Sequence, residues 1–283
     1  MVDLVEIRTW DSAARDAVER IRSASADADG QDPLDEAASM RLRDEGLETS
    51  RIWLAGDSGF AVLHDGGLDL AVAPTARRCG FGTALAAAAA AEASTAWSHG
   101  DHPAAARLAE RHGFRRAREL WVMRRPATVA LDPASADPRI RTYRPEDDAE
   151  LLRVNAAAFA AHPEQGAMDT ANLAARMAEP WFDPAGLFVA DGPEGLLGFH
   201  WTKVHPDGTG EVYVVGIDPA AQGQGLGKAL TSAGLHHLAG RGVPEVILYV
   251  ESDNAPAIAV YSGLGFGHAP ADTHVQYRRP TDP

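Results

Sequence analysis

The sequence VYVVGIDPAAQGQGLGKAL at residues 212–230 decides the fold of this chain. A valine-rich apolar run leads into a turn with three spaced glycines and then into residues that favour a helix. The first half of the chain repeats this order in LDLAVAPTARRCGFGTAL at residues 68–85. Farther on, residues 97–114 align without a gap on residues 249–266. The repeat predicts two copies of one strand-loop-helix domain.

The length and composition agree with two soluble domains. The 283 residues suit two domains of ordinary size, and 45% of them are hydrophobic. No apolar run reaches the roughly 18 residues that a membrane span needs, and the acidic start MVDLVEIRTWD does not resemble a signal peptide. We therefore expect a cytoplasmic protein without a membrane partner. Because two fused copies already form a pseudo-dimer, we also expect a monomer.

The charge and the cysteine count exclude several kinds of site. The formal net charge of −14 repels phosphate backbones and attracts a small cationic amine, so nucleic acid is a poor partner. The single cysteine, Cys79, leaves no internal disulfide and no cysteine cluster. No HExxH or CxxC spacing occurs, and we expect no metal site.

A proline-rich stretch separates the two copies. RPATVALDPASADPR at residues 125–139 contains three prolines and no helical period, which is typical of a linker. We predict an N-terminal domain at 1–125, a linker at 126–139 and a C-terminal domain at 140–283. After the linker, strands alternate with helices, including one predicted at 145–162. This order predicts an α/β or α+β layered fold on a mixed sheet.

The glycine-rich turn has the features of an anion site. Glycine permits close backbone approach, and the N-terminus of the following helix offers unpaired N–H groups and a positive dipole. The spacing of Gly223, Gly225 and Gly227 matches neither the dinucleotide fingerprint nor the Walker loop. On these residues alone, an ordinary strand-to-helix connection remains the alternative.

Two segments together resemble the GNAT superfamily of N-acetyltransferases. They are VYVVGIDPAAQGQGLGKAL, with its Q-x-x-G-x-G loop, and ILYVESDNAPAIAVYSGLGF at residues 247–266. The resemblance implies two tandem GNAT domains, each a mixed and splayed β-sheet flanked by helices, with acetyl-CoA as co-substrate. The cofactor residues that it implies in the C-terminal copy are Val215, Gly216, Ile217, Gln222, Gly223, Gln224, Gly225, Leu226, Gly227, Lys228, Asn254, Ala255, Pro256, Ala257, Ile258 and Ala259.

Nearly the whole chain resembles, more narrowly, the mycothiol synthase family of actinobacteria. The resemblance rests on the duplicated architecture and on RTYRPEDDAELLRVNAAAFAAHPEQG, WFDPAGL, LLGFHWTKVHPDGTGEVYVVGIDPAAQGQGLG and LYVESDN. That family acetylates the cysteinyl amine of a cysteine-glucosamine-inositol pseudodisaccharide, desacetylmycothiol, in the last step of mycothiol synthesis. The acceptor-binding residues that the resemblance implies are Glu36, Glu164, Lys203, Glu211 and Tyr249.

The chemistry of acetyl transfer assigns roles to two residues. An α-amine with a pKa of about 7.7 to 8 is largely protonated at neutral pH and needs a base before it can attack a thioester. By resemblance Glu211 is that base, directly or through water, and Tyr261 is the acid that protonates the CoA thiolate. A solvated strand end for Glu211 and a packing role for Tyr261 are the alternatives.

The repeat serves as an internal control. Counting back from the matched prolines places Gly66 opposite Glu211, and the gapless helix alignment places Ala109 opposite Tyr261. We therefore predict that the N-terminal copy binds acetyl-CoA without turning it over, with Cys79 as a small loop residue rather than a nucleophile. Its predicted cofactor residues are Leu70, Ala71, Val72, Arg77, Arg78, Cys79, Gly80, Phe81 and Gly82.

Two alternatives to the mycothiol reaction stay open. The chain could acetylate another amine, such as an aminoglycoside or a protein N-terminus. It could also be a regulator that binds acyl-CoA without catalysis, a role that the N-terminal copy suggests and the Glu211 and Tyr261 pair opposes.

Overall fold

The structure, a computed structural model, describes residues 2–132, 137–160 and 165–280. Most predicted strands and helices are present within these ranges, with small differences in length. The elements are β1 (Val5–Glu6), α1 (Ser12–Asp29), α2 (Glu36–Asp44), β2 (Ser50–Leu54), β3 (Gly59–His64), β4 (Gly67–Val72), α3 (Phe81–Ala89), β5 (Thr95–Ser98), α4 (Pro103–Arg111), β6 (Arg115–Pro126), β7 (Ile140–Thr142), α5 (Asp148–Ala158), α6 (Thr170–Met177), β8 (Leu187–Gly192), β9 (Gly195–Val204), β10 (Gly210–Ile217), α7 (Leu226–Gly240), β11 (Glu245–Glu251), α8 (Ala255–Gly263) and β12 (Gly267–Arg278).

The chain divides into two compact units. The first contains residues 2–121 and 269–280, and the second contains the described part of 122–268. The repeat assigns the last strand to the C-terminal copy, whereas the structure pairs β12 with β5 of the first unit. The predicted domain limits, 1–125 and 140–283, describe the repeat in the sequence and remain a prediction.

Both units contain a mixed sheet, which confirms the predicted fold class. The strand order is β1-β2-β3-β4-β5-β12 in the first unit and β6-β11-β10-β9-β8-β7 in the second, although only residues 122–126 of β6 belong to that unit. In each unit the strand before the glycine loop runs parallel to the strand after the following helix, β4 to β5 and β10 to β11. The neighbouring pairs β3-β4 and β9-β10 are antiparallel hairpins.

Helix ends follow the local sequence. Asp11, Asp35 and Asp169 each accept a hydrogen bond from a backbone N–H in the first turn of α1, α2 and α6, as expected of an N-cap. The helix predicted at 145–162 is shorter, because α5 covers only Asp148–Ala158 after a 3₁₀ turn, and residues 161–162 lie outside the described ranges. Among the described helices, none is both long and apolar enough to cross a bilayer.

Apolar side chains on both faces of each sheet form the cores. In the second unit, Trp201 and Phe199 of β9 are fully buried against Leu151 and Val154 of α5. Leu230 of α7 is buried on the opposite face. This packing fixes β9 and β10, the hairpin that positions the site described below.

A histidine is buried where α7 crosses β9. His200 is 0% exposed, and its Nδ1 donates a hydrogen bond to the carbonyl oxygen of Leu230 at 2.8 Å. Gly234 permits this approach, because a Cβ at that position would clash with the His200 ring. Burial lowers the pKa of His200 to about 4, since the charged ring loses its hydration.

His200 makes the folded state sensitive to acid. The unfolded chain binds a proton at His200 near pH 6.5, whereas the folded chain binds it only near pH 4. Folding stability therefore falls as the pH drops through this window, by up to about 3 kcal/mol. His200→Asn keeps an N–H near Leu230 but cannot titrate, so we expect lower stability at pH 7 and a weaker loss toward pH 4.5. Urea unfolding at both pH values measures this, and equal losses in both proteins would contradict it.

Candidate active site

Strands β10 and β11 separate along their length and open a cleft in the second unit. They pair at three positions, from Gly210 to Val212 on β10, and the pairing ends there although both strands continue. Beyond that point, residues 215–217 pair with β9 alone. Their backbone groups on the β11 side are thus available to an extended ligand. The splay predicted for each sheet is confirmed.

The glycine loop lies at the end of β10 and forms the start of α7. Gly223 and Gly225 both have a φ of +77°, a conformation that side chains disfavour, and a Cβ on either would meet nothing within 4 Å. Because α7 begins at Leu226, the N–H groups of its first turn have no partner within the helix. These donors and the helix dipole form an anion site.

The other predicted cofactor residues surround this loop and the start of α8. Asn254 caps α8 by accepting a hydrogen bond from the backbone N–H of Ala257 at 3.2 Å, and residues 255–259 form the first turns of that helix. Gln224 accepts a hydrogen bond from Arg139 at 3.2 Å. Lys228 supplies a cation in the first turn of α7 and lines a cavity of about 440 Å³.

Glu211 and Lys203 lie opposite each other on β10 and β9, next to the point where the cleft opens. Both are buried, with 5% and 8% of their surfaces exposed. The Lys203 ammonium lies 4.7 Å from the ring centre of Trp181 and 5.2 Å from that of Tyr213. These aromatic faces stabilise the cation in a partly desolvated position. The structure thus places a buried carboxylate opposite a buried ammonium, and the sequence had predicted both residues for the acceptor site.

His205 contacts Glu211 directly. Its Nε2 lies 2.7 Å from Glu211 Oε2. No role was assigned to His205 from the sequence. His205 and Glu211 flank the turn between β9 and β10, and this closeness in the sequence is the signal that could have predicted their contact.

The two tyrosines differ in environment. Tyr261 lies on α8 with its ring 6.0 Å from that of Phe266, and burial raises its pKa to about 12. Tyr249 lies on β11 just beyond the last pair with β10 and is 40% exposed.

Glu36 is the first residue of α2 and is half-buried. The fifth predicted acceptor residue, Glu164, lies outside the described residues.

The first unit contains an equivalent cleft of about 710 Å³. Strands β4 and β5 pair only at Gly67 and Leu68 before they separate. Most residues predicted to bind a cofactor in this copy line the cleft, namely Leu70, Ala71, Val72, Arg77, Arg78, Gly80 and Gly82. Cys79 is exposed and its Sγ lies 3.5 Å from the carbonyl oxygen of Arg77, in accord with a loop position.

Arginines give this first cleft a positive end. Arg77 donates to both carboxylate oxygens of Asp29 at 2.7 Å, so it mainly braces the loop. Arg78, Arg107 and Arg111 line the cleft and are exposed. The sequence did not single out the last two, although their spacing of four residues places them on one face of α4. Three cations beside a helix N-terminus suit a polyphosphate.

The register of the hairpins corrects the predicted alignment of the copies. Glu211 pairs with Lys203 and with Ile247, whereas the residue at the same ladder position in the first unit is Gly67, not Gly66. The prediction was wrong by one residue because β10 contains a bulge between Val212 and Val214 that β4 lacks. The counterpart of Glu211 is a glycine either way.

The first unit is not without carboxyl groups. Ala109 occupies the position in α4 that Tyr261 occupies in α8. Asp69 lies on β4 two residues beyond Gly67. Burial raises the pKa of Asp69 to about 8, and the Asp35 carboxylate adds to the effect.

Comparisons with known proteins match a part of each unit to acetyltransferases. The acetyltransferase (GNAT) family matches residues 153–266, and an acetyltransferase (GNAT) domain family matches residues 48–116. The crystal structure of a GCN5-related N-acetyltransferase from Sphaerobacter thermophilus superposes with a TM-score of 0.69 at 25% identity, covering 99% of this chain and 97% of that one. A tandem GNAT protein of the clavulanic acid pathway shares the fold, with a TM-score of 0.66 at 18% identity over 99% of both chains. Two splayed clefts, each with a glycine loop at a helix N-terminus, define a tandem acetyltransferase of the GNAT class.

Sequence relatives narrow the class further. A protein of a Nocardioides species named mycothiol acetyltransferase is 59% identical, covering 93% of this chain and 97% of its own length. The mycothiol acetyltransferase of Nocardia farcinica is 49% identical, covering 94% of each chain. The chain belongs to the mycothiol acetyltransferase family, a family of N-acetyltransferase enzymes.

Proposed function

We propose that the protein transfers acetyl from acetyl-CoA to the cysteinyl amine of 1D-myo-inositol 2-(L-cysteinylamino)-2-deoxy-α-D-glucopyranoside, the last step of mycothiol synthesis. The names of its relatives support the acceptor. The structural observation that carries the proposal is the buried Glu211, opposite Lys203 at the point where β10 and β11 separate.

In the second unit, acetyl-CoA would extend from the glycine loop into the cleft. GNAT acetyltransferases use acetyl-CoA. Its pyrophosphate would accept hydrogen bonds from the first N–H groups of α7, beside Lys228. The pantetheine arm would lie along residues 215–217, whose backbone groups are open on the β11 side. The thioester would then lie toward Glu211.

Acetyl transfer needs a base and an acid. Glu211 would take a proton from the ammonium of the acceptor, directly or through water, and free the lone pair that attacks the thioester carbonyl. After the attack the nitrogen carries one surplus proton, which it loses to water as the tetrahedral intermediate collapses, the C–S bond breaks and the amide forms. Tyr261 would donate a proton to the departing thiolate, since its pKa of about 12 keeps the hydroxyl protonated.

The acceptor side offers both donors and acceptors of hydrogen bonds. Lys203 and Glu211 would contact the cysteinyl and sugar groups, and Glu36, Glu164 and Tyr249 remain candidates for the hydroxyls. A polyhydroxylated amine needs groups of both kinds, because a hydroxyl left unpaired in a buried site costs affinity.

We expect Tyr261→Phe to lower kcat by about 100-fold at pH 7, because the thiolate would then leave without a proton. The loss should shrink above about pH 8.5, where the thiolate is a stable leaving group. A pH series of kcat for both proteins measures this. An unchanged kcat with a lower melting temperature would instead assign Tyr261 to packing.

The first unit would bind a second acetyl-CoA without turning it over. Its cleft and three exposed arginines support binding. Gly67 and Ala109 stand at the positions of the base and the acid. Gly67 and Ala109 therefore supply neither group there.

Thiol release from acetyl-CoA tests the proposal. The purified protein would be assayed with cysteinyl-glucosaminyl-inositol and with glucosamine, an aminoglycoside and a peptide N-terminus at equal concentration. We expect kcat/KM to be highest for the pseudodisaccharide by more than about 100-fold, since the other amines leave site groups unpaired. Preference for another amine would replace the acceptor, and no turnover with any amine would favour a regulator that binds acyl-CoA.

A further inference from the structure

The two copies differ most in the hairpin that leads to the cleft. In the first unit His64 pairs with Gly67, and the turn between them is two residues, Asp65 and Gly66, both with positive φ. In the second unit Val204 pairs with Gly210, and the turn contains five residues, 205–209. The second hairpin therefore has a longer turn as well as a bulge.

The longer turn holds its first residue in place. The backbone N–H of His205 donates to the carbonyl oxygen of Thr209 at 2.8 Å, and that of Gly208 donates to the carbonyl oxygen of His205 at 2.9 Å. The N–H of Thr209 donates to Asp207 Oδ1 at 2.9 Å. These bonds fix the backbone that carries the imidazole and so restrict where the ring can point.

The ring is directed at one oxygen of Glu211. Nε2 of His205 lies 2.7 Å from Oε2 of Glu211, and the side chains are 28% and 7% exposed. An ionised carboxylate at that depth requires hydrogen-bond donors, because it has lost most of its hydration. An N–H on Nε2 supplies one donor and leaves the other carboxylate oxygen, Oε1, for the amine. This contact assigns the hydrogen to Nε2.

We propose that His205 is a positioning residue for the acetyl transfer: it donates from Nε2 to Glu211 and fixes the carboxylate rotamer. The inference rests on the proposed role of Glu211 as base. Among the described residues, the ring contacts Glu211 on β10, which pairs with Lys203 on β9, and it interacts electrostatically with Asp207 on the same turn. The Thr209 N–H lowers the pKa of Asp207.

Two substitutions and a control test the proposal. His205→Leu removes the donor, His205→Gln keeps an N–H, and His236→Gln changes a histidine of α7 whose ring contacts the Asp132 carbonyl. We expect His205→Leu to lower kcat by about 10- to 100-fold, the value of one hydrogen bond to a charged group. The KM for acetyl-CoA should not change, His205→Gln should recover part of kcat, and the control should match the wild type.

A spectroscopic measurement separates positioning from a structural role. In a ¹³C NMR spectrum at pH 7 the Glu211 carboxyl signal should shift in His205→Leu, because its oxygen has lost a hydrogen-bond donor, and should not shift in His236→Gln. This readout needs no acceptor, so it stands even if the proposed reaction fails. An unmoved Glu211 signal, or equal kcat in His205→Leu and the wild type, would overturn the inference.

Discussion

Glu211→Gln lowers kcat for acetyl transfer by about 10²- to 10⁴-fold, the range expected when a positioned general base is lost. The amide has nearly the same shape as the carboxylate but cannot take a proton from the ammonium. Because the cofactor would be held by the glycine loop and by residues 215–217, the KM for acetyl-CoA should stay close to the wild-type value.

The control for this substitution is Glu194→Gln. Glu194 lies exposed in the β8-β9 turn, so its change removes the same charge from the same unit. We expect its kcat to equal that of the wild type. The residual activity of Glu211→Gln should also rise with pH, since more acceptor amine is already deprotonated near pH 8 to 9. Loss of less than about tenfold at pH 7 would assign the base to another group.

Replacing Arg78, Arg107 and Arg111 together with Gln should lower the acetyl-CoA affinity of the first unit by at least about 100-fold, because each charge-assisted contact to a phosphate contributes to binding. Equilibrium dialysis should then find one bound acetyl-CoA per chain instead of two. The kcat should not change, since the variant leaves the second cleft intact.

A charge-matched variant controls for the loss of three cations. Arg8, Arg20 and Arg115 are exposed arginines of the first unit that do not line the cleft. Their replacement with Gln should leave two acetyl-CoA molecules bound. If both triple variants bind two acetyl-CoA molecules per chain, the first cleft does not use its arginines to bind the cofactor. If the wild type binds only one, the first unit is not a cofactor site.

The sequence predicted the features that depend on local pattern. Apolar runs predicted β4 and β10, the spaced glycines predicted the loops before α3 and α7, and the repeat predicted two similar units. Features that depend on pairing between distant segments were missed. The bulge in β10 shifts the register by one residue, so counting assigned Gly66 where the structure has Gly67. The pairing of β12 with β5 joins segments far apart in the chain.

The residues of the candidate site also fall into two groups, those that the sequence predicted and those that only the structure shows. The resemblance supplied Glu211 and Tyr261, because both lie in segments with characteristic motifs. His205 lacked such a motif, and only the five-residue turn brings its ring to Glu211. Arg107 and Arg111 became visible once α4 was seen to line the first cleft. A side chain whose role depends on the shape of a turn or a groove can be recognised only from the three-dimensional structure.

The most direct test of the central claim, one reactive cleft and one silent cleft, is a single-turnover measurement on Glu211→Gln. The variant would be loaded with acetyl-CoA labelled in the acetyl group, freed of excess ligand and mixed with cysteinyl-glucosaminyl-inositol. We predict that two acetyl-CoA molecules stay bound per chain and that no labelled amide forms on the time scale of the wild-type reaction. Formation of labelled amide at the wild-type rate would contradict the account and would direct attention to Asp69 of the first unit.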